Sequence, residues 1–134
     1  MNTIEIVNLP VSGAGCERIS VTVSSSGLLL EFQYFPSDAD GNRVGKLLFS
    51  GVAAYRFRKE MLSSGFENES YDAVVMVKDS KWLKSLIKIE PDQISSSVRE
   101  KSHFAVLLSN NGYMEVIASE VGSLEVREGT LTRI

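Results

Sequence analysis

The chain reads as a mainly β (α+β) protein, an antiparallel β-sandwich or partly open barrel of about seven to nine strands with one packed helix near 80–89. Three observations predict this. Segments rich in β-branched and aromatic residues alternate with Gly- and Ser-rich breaks; an apolar, Asn-Asn-Gly, apolar pattern marks a hairpin near the end; and only one segment carries a helical period.

Glu17 to Ser24 shows the alternation most plainly, with Ile19, Val21 and Val23 on one face and Arg18, Ser20 and Thr22 on the other. Ser25-Ser26-Gly27 turns the chain, and Leu28, Leu30, Phe32 and Tyr34 share a face in the segment that follows. The two segments predict a hairpin. Pro36 ends the second, and the turn formers Ser37 to Asn42 predict a loop. Asp38, Asp40 and Asn42 have the two-residue spacing of a calcium loop, but glycine comes two positions early and Phe49 stands where the bidentate glutamate belongs. The cluster is read as a turn.

Val44 to Arg58 is a long strand candidate interrupted by Gly45 and Gly51, and a glycine inside a strand often marks a bulge or a corner. Beyond it, Tyr55 and Phe57 fall on one face, read as inner, and Arg56 and Arg58 on the other, read as outer. Residues 63–70 form a polar loop. Tyr71 to Lys78 is apolar on both faces, the pattern of a central strand. With Asp79 as N-cap, Ser80 to Ile89 places Trp82, Leu83, Leu86, Ile87 and Ile89 within an arc of about 160° opposite Lys81, Lys84 and Lys88, a helix laid on a sheet. Trp82 is its main core contact, and Pro91 stops it.

Ser102 to Glu120 predicts the hairpin around Asn110-Asn111-Gly112. A three-residue loop pairing Ser109 with Tyr113 sets Phe104, Val106 and Leu108 beside Ala118, Val116 and Met114 on one wholly apolar face. The other face then carries His103, Ala105 and Leu107 against Ser119, Ile117 and Glu115. Leu124 to Arg127 supports a last short strand, with a turn or fraying end after it.

The 134 residues fit one domain, 1–134, with 43% hydrophobic and 23% charged residues, values close to globular averages. Net charge −3 and pI near 5.2 argue against a nucleic-acid partner. Apolar runs fall far short of the roughly 18 residues that span a bilayer, so no membrane partner is expected. The start lacks a basic and apolar leader, and the single cysteine, Cys16, forms no internal disulfide; both point to the cytoplasm. Cys16 is read as a small buried hydrophobe.

Chemistry is sparse. Triad catalysis needs a histidine, and the chain has only His103, with no G-x-S-x-G, phosphate loop or H-E-x-x-H around it. Gly13-Ala14-Gly15 lacks the helix a dinucleotide fingerprint requires. No metal site, no cofactor and no catalytic residue is expected. Glu115 and Glu120 are read as surface carboxylates; an enclosed Glu115 near His103 is the alternative, serving a small enzyme or ligand carrier.

Three stretches carry a resemblance: Gly51 to Arg58, Asp79-Ser80-Lys81-Trp82-Leu83, and His103-Phe104 with Gly112-Tyr113-Met114-Glu115-Val116-Ile117-Ala118. Over its second half the chain resembles small uncharacterised bacterial β-rich proteins with a D-S-x-W-L helix start and a closing H-[FY]…G-x-[YF]-E-V-[IV]-A hairpin, immunity-like in general kind. The resemblance implies no catalytic residue. It implies a non-enzymatic protein-binding module that neutralises a partner toxin. The expected contact residues are Arg56, Arg58 and Tyr113, with Glu115 beside them, because arginine and tyrosine are favoured interface anchors. Self-association is left open.

Overall fold

The computed structural model describes residues 3–10, 16–36, 41–58, 73–89, 98–107 and 113–131, and leaves aside the side chains of Thr3, Cys16, Arg58, Leu107 and Tyr113. Expectations for Gly13 to Gly15, Ser37 to Asp40, residues 63–70, Pro91, the hairpin tip at 108–112 and the burial of Cys16 lie outside that description.

Among the described residues, ten strands and one complete helix follow in chain order. They are β1 (Thr3–Asn8), β2 (Cys16–Ser24), β3 (Gly27–Tyr34), β4 (Arg43–Ser50), β5 (Ala54–Arg58), β6 (Ala73–Val77), α1 (Lys81–Ile89), β7 (Ser102–Leu107), β8 (Tyr113–Ala118), β9 (Glu120–Val121) and β10 (Glu125–Glu128). One antiparallel sheet has the order β1-β6-β7-β8-β5; the other has the order β10-β4-β3-β2, with β9 also on β4. The two sheets stay separate, so the architecture is a sandwich with one helix and no closed barrel.

The β2–β3 hairpin pairs Val23 with Leu28, Val21 with Leu30 and Ile19 with Phe32, joining the two apolar faces read from the sequence. Except for Val23, which is half exposed, those residues meet β4, β7 and β8 in the main core, where Leu28, Leu30, Phe32, Leu47, Phe49, Phe104, Val106, Met114 and Val116 are buried. The Phe49 and Phe104 rings, one from each sheet, lie 5.9 Å apart.

Gly51, at φ 63°, makes the corner at which the chain leaves the second sheet and enters the first. Gly45 marks no bend. It continues β4 without interruption because the Phe32 ring occupies the space above it, and a Cβ there would stand 2.3 Å from Phe32 Cζ. The segment after β10 is held as far as Leu131, which is buried and whose N–H donates to Gln33 Oε1 at 3.0 Å.

The β7–β8 register differs from the expected one. Phe104 faces Val116 and Leu107 faces Tyr113, two residues along from the pairing of Ser109 with Tyr113. A shift of two keeps every side chain on its face, so the apolar set of Phe104, Val106, Met114, Val116 and Ala118 still enters the core. On the other face the shift matters: Glu115 now lies opposite Ala105, with His103 at the diagonal position. Among the described residues no helix is long and apolar enough to cross a membrane.

Candidate functional site

The face of the first sheet that turns away from the main core carries Ala73, Val75, Val77 and Ala105, a small second cluster, together with His103, Glu115 and Arg56. Helix α1 lies over this face. Its N-cap is Ser80, one residue later than expected: Ser80 Oγ accepts the Leu83 N–H at 3.0 Å, and Ser80 O accepts from Lys84 N. Asp79 instead adopts φ 53°, a left-handed conformation that aspartate tolerates better than most residues and that turns the chain from β6 into the helix.

From this cap a polar chain runs under the helix. Ser80 Oγ lies 2.7 Å from His103 Nδ1, and His103 Nε2 lies 2.8 Å from Glu115 Oε1. Arg56, directly opposite Glu115 on β5, donates from Nε to Oε2 and from Nη2 to Oε1, both at 3.2 Å. Trp82 closes the arrangement from above, its ring edge-on to His103 at 5.2 Å and its face 4.0 Å from the Arg56 guanidinium carbon.

Glu115 is completely buried. Burial by itself would raise its pKa; the hydrogen bond from His103, those from Arg56 and the adjoining charge outweigh it and hold the carboxyl below its ordinary value of 4.5. The carboxylate is therefore ionised, and His103 Nε2 carries the hydrogen between them. Desolvating such a charge costs several kcal/mol, roughly, and hydrogen bonds to the ionised form are what offset that cost.

The reading of Glu115 as a surface carboxylate is thus corrected; Arg56, read as an outward contact, is tied to Glu115 and Trp82 while 38% of its side chain stays exposed. Tyr55 and Phe57 share the face of Val116 and Met114, with Arg56 on the other, but at the sheet edge the two aromatics are 46% and 45% exposed and do not form the inner layer expected of them. What alternation leaves out is that α1 covers the second face. Arg58 and Tyr113 pair with each other in register at the ends of β5 and β8, their side chains outside the description.

The chain matches no protein-family model, no curated protein and no solved structure.

Serine, histidine and a carboxylate in contact have the composition of an acyl-transfer triad, but the geometry is that of a clamp. A nucleophile needs room for a substrate carbonyl about 3 Å away. Ser80, His103 and Glu115 are 5%, 3% and 0% exposed, and the Ser80 hydroxyl is engaged with both the Leu83 amide and the imidazole. A shallow cleft of about 310 Å³ between α1 and the ends of β6 and β7 reaches His103, Ser80, Leu83 and Ile87; Glu115 is not in its wall. No cluster of three or more metal-ligating side chains occurs among the described residues. Sequence reasoning had placed His103 and Glu115 on one face and missed Ser80 as their third member. The available signal was a single acid and a single histidine at positions that alternate with core residues and share their face with Ala105 and Ile117.

Proposed function

We propose that this chain is a non-enzymatic protein-binding module that recognises an acidic surface on a protein partner, in the manner of an immunity protein neutralising a toxin. One observation carries the reading. In a chain of net charge −3, the stretch from Lys78 to Lys101 holds Lys78, Lys81, Lys84, Lys88, Arg99 and Lys101 against Asp79, Glu90, Asp92 and Glu100, and the charged residues of α1 itself are all lysines. Lys81, Lys84 and Lys88 are exposed along α1, opposite the residues that meet the sheet. An isolated positive field on an acidic molecule steers an acidic partner toward that side and repels it elsewhere.

The lone Cys16 suits a reducing compartment such as the cytoplasm, and the resemblance of the second half supports the toxin-directed role. Arg58 and Tyr113 remain proposed contacts at the paired ends of β5 and β8; Arg56 and Glu115 are engaged with each other beneath Trp82. The enzyme or carrier reading needs His103 and Glu115 at the floor of a deep cavity, and the cleft that reaches His103 is shallow and does not reach Glu115.

The test is affinity capture from the native cell with the full chain as bait. Lys81, Lys84 and Lys88 changed together to glutamate should leave the fold intact and weaken capture of the dominant partner at least tenfold, about 1.4 kcal/mol. Raising the salt should weaken the wild-type capture in the same direction. Capture that survives the triple charge reversal would exclude this face.

A further inference from the structure

The edges of the two sheets are not alike. In β1 the register shifts between Glu5 and Val7, and in β2 it shifts between Cys16 and Arg18. The edge beyond β4 is divided between the two-residue β9 and the wholly exposed β10, whose residues are Glu125, Val126, Arg127 and Glu128. Irregularity, shortness and charge are the devices by which proteins prevent an edge from pairing with another strand. β5 has no irregularity, and of its two charges, Arg56 and Arg58, the first is engaged by Glu115. Its five residues pair with β8 in unbroken register, and among the described residues its outer edge has no strand partner. Tyr55 and Phe57 face the sandwich interior, yet are 46% and 45% exposed, and no described strand lies beyond them on that side.

The sequence of β5, Ala-Tyr-Arg-Phe-Arg, is complementary to itself. Paired antiparallel with its own copy about Arg56, it sets Tyr55 against Phe57 of the copy and Phe57 against Tyr55, aromatic on aromatic in both halves. Like charges directly opposite would normally oppose such a register. Here each Arg56 is already joined to its own Glu115 by two hydrogen bonds and turned onto Trp82, so the axis carries two neutralised ion pairs.

We propose that β5 is a self-association edge, pairing antiparallel about Arg56 with β5 of a second copy of this chain and joining the two five-stranded sheets into one. The proposal is independent of the basic face on α1.

Sedimentation velocity of the full chain from low micromolar to near-millimolar concentration should show a concentration-dependent dimer. Phe57→Lys, at a half-exposed position, should weaken it at least tenfold while keeping the circular dichroism of the wild type. A chain that stays monomeric throughout, or a dimer that a folded Phe57→Lys leaves intact, overturns the proposal. The register has its own test, which also decides the matter should Phe57→Lys fail to fold. In a Cys16→Ser background, Tyr55→Cys and Phe57→Cys chains are oxidised separately and mixed. Directly opposed strand positions lie about 4.5 to 5.5 Å apart at Cα, within disulfide reach. The mixture should cross-link and the separate chains should not; cross-linking confined to the separate chains, or absent from all, contradicts the pairing.

Discussion

Glu115 is the residue around which the rest is arranged, a carboxylate with no exposed surface held by an imidazole and a guanidinium. A carboxyl whose folded pKa lies below its unfolded value binds fewer protons when folded than when unfolded. Its contribution to stability is therefore complete above its ordinary value of 4.5 and is lost as the pH falls through the lower folded value. Urea unfolding from pH 7 to pH 3 should show wild-type stability declining below pH 4.5, and Glu115→Gln should start lower at neutral pH and decline less. Equal acid slopes for the two proteins would mean that Glu115 is not held ionised in the folded state. The presence of an acid and a histidine on one face could be read from alternation alone. Their contact could not, because it depends on a register two residues away from the one that the apolar pattern suggested.

At the scale of elements, the β2–β3 hairpin, the central position of β6 and the amphipathic period of α1 follow from local pattern, since each rests on neighbours a few residues apart. The register of β7–β8 was harder to read because its apolar faces remain apolar under any even shift. The role of Gly45 was also hidden. A glycine in a strand signals a bend as readily as a close approach, and only the position of Phe32 across the sheet distinguishes them. Gly45→Ala would place a Cβ 2.3 Å from Phe32 Cζ within a filled core. The expected cost is about 1 to 3 kcal/mol, measured by chemical denaturation, as for other overpacked cores. A neutral outcome would show that the Phe32 ring is free to move. The N-cap illustrates a smaller displacement: Asp79 and Ser80 are both good caps, and the left-handed turn that brings β6 into α1 assigns the cap to the second.

For the molecule as a whole, apolar burial is divided unequally. The large cluster lies between the sheets, and the cluster beneath α1 consists of Ala73, Val75, Val77 and Ala105, while no residue of the helix is itself fully buried. The helix is therefore held by half-buried apolar contacts and by the polar chain from Ser80 through His103 and Glu115 to Arg56, which ties together four segments lying apart in the chain. The polar chain gives the half-exposed Arg56 a structural role beneath Trp82. A double-mutant cycle on unfolding free energy with Arg56→Ala, Glu115→Ala and the double variant measures it directly. The predicted result is a coupling of about 2 kcal/mol at neutral pH, discounted from a fully buried pair because the Arg56 side chain is 38% exposed, and a coupling that fades as the pH falls below 4.5. An Arg56→Ala variant as stable as the wild type, with no coupling to Glu115, would contradict it.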